Sequence, residues 1–195
     1  FILERKEKIA KQLGMGWYIH ADADEFRESP WIQHNLREAI IRVDSEGYNA
    51  INFNIYDFKP TNNDFVNGAD VRMYLKFYSK PVLNFDNVQV KCWKYFGQEF
   101  DLRKSGGHLV EFKERRIYPI PFILRHYPIR SQKHGEKKVF NERKKRFDTI
   151  EKKSQWHAQY DHIKDLRFNF LHREEDLIEY DRHVVCNDIQ KQFAI

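Results

Sequence analysis

Between Asn49 and Phe58, Ile51, Phe53 and Ile55 alternate with Asn52, Asn54 and Tyr56, the two-residue period of a β-strand. Shorter apolar runs predict strands at Trp17–Ala21, Val88–Tyr95, His108–Phe112 and Phe122–His126. In the second of these, Val88, Val90, Cys92 and Lys94 share one side, and Lys91, Trp93 and Tyr95 share the other. Elsewhere the spacing is helical. Ile2, Leu3, Ile9 and Leu13 predict a helix over 2–13, ended by Gly14 and Gly16. Ser29 can cap a second helix with Pro30 in its first turn, a buried stripe at Ile32, Leu36, Ala39, Ile40 and Val43, and a stop at Gly47. Further helices are expected over 70–78, 132–147 and most of 166–193, with polar loops at 60–64 and 97–107. Helices and strands that alternate in this way make an α/β chain.

The run Asp22-Ala23-Asp24-Glu25-Phe26 follows the strand Trp17–Ala21. In extended chain, residues i and i+2 point to the same side, so Asp22 and Asp24 are expected to converge on one small cation. Carboxylates suit hard cations such as magnesium or manganese. Ligands of open α/β sheets collect at the carboxyl ends of strands. The pattern therefore points to a metal-assisted site for a phosphorylated substrate, against the plainer reading of a solvated acidic turn. No Gly-rich phosphate loop, C-x-x-C, H-E-x-x-H or G-x-S-x-G motif accompanies it.

Composition narrows the class. With 195 residues, 41% hydrophobic and 15% aromatic, the chain can bury a core and is not a disordered one. No apolar run approaches the roughly 18 residues of a membrane span. Two cysteines, Cys92 and Cys186, are too few for a disulfide framework and suit a reducing cytoplasm. From Lys133 to Lys153 nine lysines and arginines meet four acids, an excess equal to the formal net charge of +5 of the whole chain. Such a basic helix can meet a diphosphate, lipid headgroups or nucleic acid, or be a solvated face.

Four segments in order carry a resemblance. They are the strand with D-A-D-E-F and Ser29-Pro30-Trp31; Ser105-Gly106-Gly107-His108; Leu124-Arg125-His126-Tyr127-Pro128-Ile129-Arg130-Ser131; and Gln155-Trp156-His157-Ala158-Gln159-Tyr160-Asp161. Together, over residues 17–161, they resemble glycosyltransferase family 2, of the GT-A class. The resemblance implies a GT-A-like mixed sheet flanked by helices. Because GT-A enzymes hold the base and ribose on strands before the D-x-D, this chain is expected to be a carboxyl portion without its N-terminal nucleotide-binding strands. Residues 1–150 would form a partial catalytic domain and 151–195 a helical extension. The strand Trp17–Ala21 would then be an edge strand.

The resemblance also implies roles. Asp24 would ligate a divalent cation, Mn or Mg, directly. Asp22 would reach it through water or touch sugar or ribose hydroxyls, and Glu25 would orient both. His126 would share the metal, with His108 as competitor. Arg125, Arg130 and Lys133 would face the diphosphate, and Lys91 and Trp93 would contact the donor. For the base, Asp101 stands slightly ahead of Glu99, with Asp57 a further candidate. The donor would be a nucleotide-diphosphate sugar, and the acceptor a glycan, lipid or other hydroxyl compound. The expected setting is the cytoplasm, at the inner membrane surface if 133–153 touches lipid. Acids interleaved among the basic residues argue against a nucleic-acid partner. The rival readings are a metal-dependent phosphohydrolase and a non-catalytic basic module for nucleic acid or membrane.

Overall fold

A computed structural model describes residues 2–79, 89–143, 160, 163, 165–193. The chain is mixed α/β and divides into two compact units. The first comprises Phe1–Tyr56, Pro81–His126 and Asp181–Ile195; the second comprises Asp57–Lys80 and Tyr127–Tyr180. Among the described residues, no helix is long and apolar enough to cross a membrane.

The first unit opens with helix α1 (Ile2–Leu13) and strand β1 (Gly16–Ile19). The helix forms where expected but turns a different face inward. Ile2, Ile9 and Leu13 are exposed, whereas Ala10 and Glu7 are buried. The small Ala10 lets the helix approach closely. The Glu7 carboxylate accepts from the Leu102 backbone N–H at 2.8 Å, which satisfies a donor that burial would otherwise strand. Around Ala10 gather Ala50, Val90, Trp93, Phe100, Leu102 and Val110.

Strand β1 pairs antiparallel with β6 (Cys92–Tyr95), which pairs in turn with β3 (Ala50–Ile51). The order is β1-β6-β3, so among the described residues β1 is an edge strand, as expected. Residues 25–28, expected to lead into a helix, instead form strand β2 (Glu25–Glu28). It runs antiparallel to β9 (Phe122–His126), with Glu25 opposite His126 and Glu28 opposite Ile123. Strand β9 lies between β2 and β4 (Phe53–Lys59). Of the strand expected at His108–Phe112, Leu109 makes a single parallel bridge to Val90, and Glu111–Phe112 forms β8, paired with β7 (Phe100–Asp101).

Helix α2 (Leu36–Ser45) starts later than Ser29 because Asn35 caps it better. The Asn35 side chain accepts from the Glu38 N–H, and Glu38 accepts from the Asn35 N–H, a closed capping box. Ser29 is fully buried, and its Oγ accepts from the Trp31 N–H at 3.0 Å, a local turn that competes with helix. Gly47, at φ +81°, ends the helix as expected. Ala39 and Val43 pack on Trp31, Ile51, Phe53, Cys92, Tyr118, Phe122 and Leu124. The core face read from the alternation Ile51, Phe53, Ile55 thus meets the helix stripe. Helix α4 (Arg182–Phe193) returns to this unit, where Cys186 Sγ lies 3.8 Å from the Ser29 carbonyl oxygen. Cys92 and Cys186 are both buried, free thiols.

In the second unit, the end of β4 pairs with β5 (Phe77–Ser79), and β5 pairs with β10 (Ile178–Glu179). The helix expected over 70–78 is only a 3-10 turn, Val71–Met73, before β5. Helix α3 (Gln132–Glu136) continues as a π-helical stretch, Lys137–Arg143. The rest of the expected basic helix lies outside the described residues. The small Gly135 lets the ring of buried Phe170 come close, since a methyl there would meet it at 2.4 Å. Between 166 and 193 helix is confined mainly to α4. Hydrogen bonds such as Phe170 N–H to Gln132 Oε1 at 2.8 Å hold part of the preceding stretch in irregular conformation.

Candidate functional site

The ladder of β1 runs one residue past the strand, where the His20 N–H donates to the Lys91 carbonyl at 2.8 Å. The chain then reverses. Glu25 N–H donates to the Asp22 carbonyl at 3.2 Å, and Asp22 N–H donates to Glu25 Oε2 at 3.3 Å. Asp22 and Asp24 therefore stand on a turn, not on extended chain. The two-residue rule that predicted their convergence does not govern them, and they face different partners.

Asp22 and Glu25 meet a buried ammonium. Lys91 Nζ donates to Asp22 Oδ2 at 3.0 Å and to Glu25 Oε1 at 2.8 Å, with its side chain only 1% exposed. The other Glu25 oxygen accepts from Arg27 Nη2 at 2.5 Å. The same Arg27 nitrogen donates to the His20 carbonyl at 2.6 Å, and the guanidinium lies 5.4 Å from the Phe53 ring centre. Lys91, Arg27 and Glu25 are shielded from water while Asp22 is half-exposed, and each buried charge is paired, the condition under which buried charges are tolerable.

His20 closes the cluster from β1. Its Nδ1 lies 3.1 Å from Lys6 Nζ, and its Nε2 lies 3.6 Å from Asp22 Oδ1. An ammonium can only donate, so Nδ1 accepts and the ring proton sits on Nε2, toward Asp22. Burial pushes the imidazole down to about 4; Asp22 opposes that, while Lys6 and Lys91 reinforce it. His20 is therefore neutral at neutral pH. Burial alone would raise the Asp22 carboxyl, but Lys91, then His20 and Lys6, outweigh it and hold the group below its usual range. Gly107 packs directly on His20: a methyl at that position would come within 2.7 Å of Nε2. The Ser105–His108 turn and the D-x-D segment, far apart in sequence, are in this way neighbours.

Asp24 faces the other way. Its Oδ2 lies 3.8 Å from His126 Nε2, and both side chains are about one-quarter exposed, at 23% and 26%. The β2–β9 register, with Glu25 opposite His126, sets this approach. Two donors bound to one cation at ~2.1 Å each can be no more than about 4.2 Å apart, so this pair fits a shared ion. Asp22, engaged by Lys91, does not gather with them. Among the described residues, no three His, Cys, Asp or Glu side chains are grouped to hold a metal. A magnesium-type site needs only one or two carboxylates when substrate phosphates and water complete the shell.

The remaining expected residues are dispersed. Trp93 is 3% exposed, with its ring 5.3 Å from Phe100 and 5.9 Å from Tyr18, so its face belongs to the core. Arg125 reaches Glu28 at 3.2 Å, on the opposite side of β9 from His126. His108 Nδ1 lies 3.1 Å from Gln89 Oε1. Glu99, largely exposed, pairs with Lys11 at 2.6 Å. Asp101 accepts from the backbone N–H groups of Lys104 and Arg103, which lower its carboxyl below the usual range, opposite to the shift a base working near neutrality needs. In the second unit, Asp57 pairs with Lys59, and Arg130 lies 5.9 Å from the Phe65 ring centre. The sequence reading overlooked the contributions of His20, Lys6 and Arg27. The signal for the cluster was Lys91 between Val90 and Cys92: a charge on an apolar strand requires buried partners.

Comparison with known proteins finds no matching family model, no matching curated protein and no matching solved structure.

Proposed function

We propose that this chain is a metal-dependent glycosyltransferase, or the part of one that carries the D-x-D motif. It would act on a nucleotide-diphosphate sugar and a hydroxyl acceptor, on a GT-A-like scaffold. The observation that carries the reading is the approach of Asp24 to His126 at 3.8 Å across adjacent strands, where two residues 102 positions apart offer a carboxylate and an imidazole to one ion.

When bound, Mn or Mg would supply positive charge to the departing diphosphate. The chain's own residues do the rest. Asp24 and His126 would hold the ion. The turn closed by Glu25 fixes the approach of Asp24, and β2 and β9 make that turn rigid. Asp22, half-exposed beside the ion-pair cluster, has one face open to a hydroxyl of the donor. The base stays with Asp101 and Glu99 as the residues to test first, each occupied here by another partner.

Incubation with Mn2+ and a panel of nucleotide-diphosphate sugars tests the reading. Release of nucleoside diphosphate that EDTA abolishes is the expected result. Release of inorganic phosphate from phosphomonoesters would instead favour the phosphohydrolase. Salt-sensitive retention of nucleic acid without turnover would favour the binding module.

A further inference from the structure

We infer that the cleft at the C-terminal end of α2 is a second binding site, for a neutral oligosaccharide, at the opposite end of the β1–β6 pair from the acidic turn. Such a site stands apart from the reaction proposed above and needs no metal. The strand register places it. Ile19, which leads into the acidic turn, faces Cys92, whereas Gly16 faces Tyr95. Lys94 and Phe96 therefore stand at the far end from Asp22 and Asp24. There they line a cleft of about 750 Å3 with Asp44, Tyr48, Glu114 and Arg116, all in the first unit. Small-molecule sites occupy roughly 300–1,000 Å3, so the space suits one.

Asn49 organises the walls. It is 7% exposed, and its whole side-chain amide is committed to the segment opposite: Nδ2 donates to the Glu114 carbonyl at 3.0 Å, and Oδ1 accepts from the Arg116 N–H at 2.6 Å. Its backbone carbonyl accepts from the Lys94 N–H at 2.8 Å. Both walls thus hang on one buried residue. The clamp holds Glu114 at φ +63°, a left-handed conformation that, among the described residues, only glycines share. A glutamate adopts it at a cost, and strain of this kind gathers at binding sites.

The lining selects against an anion. Lys94 is held by Asp44 at 2.5 Å, and Arg115 Nη1 donates to the Val110 carbonyl. Helix α2 also brings its carbonyl end, the negative end of its dipole, to the cleft at Asp44 and Gly47. The groups facing solvent are of mixed sign: the exposed Glu114 carboxylate accepts hydrogen bonds, and the exposed Arg116 guanidinium donates them. Two rings complete the site. Tyr48 stands edge-to-face with Tyr118 at 5.1 Å, and Phe96, 43% exposed, stands edge-to-face with Phe112 at 6.5 Å. A sugar ring needs both kinds of partner: donors and acceptors for its hydroxyls, and an apolar surface for its C–H face.

The test presents the epitope-tagged chain, in EDTA, to a printed array of neutral and acidic oligosaccharides, and titrates the neutral glycan held best by calorimetry. A neutral glycan should bind. Phe96→Ala and Arg116→Ala, both at exposed positions, should each weaken it about tenfold or more with an unchanged circular dichroism spectrum. Glu114→Gly removes the carboxylate and relieves the strained φ, so it should resist urea at least as well as the parent while binding about tenfold less tightly. Asp24→Asn, at the other end of the strand pair, should bind as the parent does. Parent-like affinity in Phe96→Ala or in Glu114→Gly overturns the proposal. Binding lost in Asp24→Asn but kept in Phe96→Ala puts the sugar at the acidic turn and overturns it too. Retention of acidic glycans only, weakened by salt, makes the cleft an anion site and has the same consequence. A folded parent that retains no glycan also overturns it, and leaves the metal-dependent reading to its own Mn2+ assay.

Discussion

His126 Nε2 stands 3.8 Å from Asp24 Oδ2 because β9 runs antiparallel to β2 with His126 opposite Glu25. The strand pairing, not the local sequence, brings imidazole and carboxylate together. Asp24→Asn removes one charge at constant volume. It is expected to abolish manganese-dependent sugar transfer and to weaken Mn2+ binding by about tenfold or more, with an unchanged circular dichroism spectrum. His126→Gln should weaken binding in the same direction. Full activity in Asp24→Asn would remove the metal role from this motif.

Glu25 carries the largest structural share of the cluster. It accepts from both Lys91 and Arg27, at 2.8 and 2.5 Å, and is nearly buried. Glu25→Gln keeps the shape and leaves buried Lys91 to Asp22 and buried Arg27 to the neutral His20 carbonyl. Removing one partner from a buried ion pair costs about 3–5 kcal/mol, so chemical denaturation should show a loss on that scale. A loss near zero would mean that water reaches Lys91 and Arg27 readily.

Much of this was legible in the chain. The strand at Phe122–His126 forms with the bounds that its apolar run predicts, and Ile51 and Phe53 face the core as their alternation requires. The helix at the start was also legible, but not its buried face, because Glu7 hides by capping the Leu102 N–H. Strand β2 escaped because Glu-Phe-Arg-Glu has no apolar period; its partner β9, almost a hundred residues away, defines it. The D-x-D was legible as a motif, whereas the pairing of Asp22 and Glu25 with a buried ammonium was not. That pairing depends on Lys91, which reaches the turn only after β1 and β6 pair.

Gly107 tests whether the Ser105–His108 turn is tied to the cluster. It has φ +90°, and a methyl there would lie 2.7 Å from His20 Nε2 and 3.1 Å from Leu3 Cδ2. Gly107→Ala adds backbone strain to a collision with a buried ring. A destabilisation of about 1–3 kcal/mol is expected in urea. The exposed Gly68, also at φ +90° but with open space around it, is the control: Gly68→Ala suffers the strain without the collision and should cost less.

In the second unit, His172 makes stability depend on pH. His172 is exposed over part of its surface, and partial desolvation of its imidazole holds it below the usual value near 6.5; the Lys59 ammonium adds to this, and Asp57 and Asp176 oppose it. Folded His172 is therefore neutral where the unfolded imidazole already takes up a proton. On acidification through the unfolded value the unfolded state binds more protons, so this contribution is fully present above that pH and is lost below it, down through the folded value. The urea midpoint of the parent protein should fall between about pH 7.5 and 5.5, and His172→Gln should fall less steeply over the same interval. Glutamine leaves in place the backbone bond from residue 172 N–H to the Pro60 carbonyl, at 2.9 Å, so the comparison isolates the ring. Parallel slopes in the two proteins would show that His172 is protonated alike in the folded and unfolded chain, and that partial desolvation does not hold it neutral.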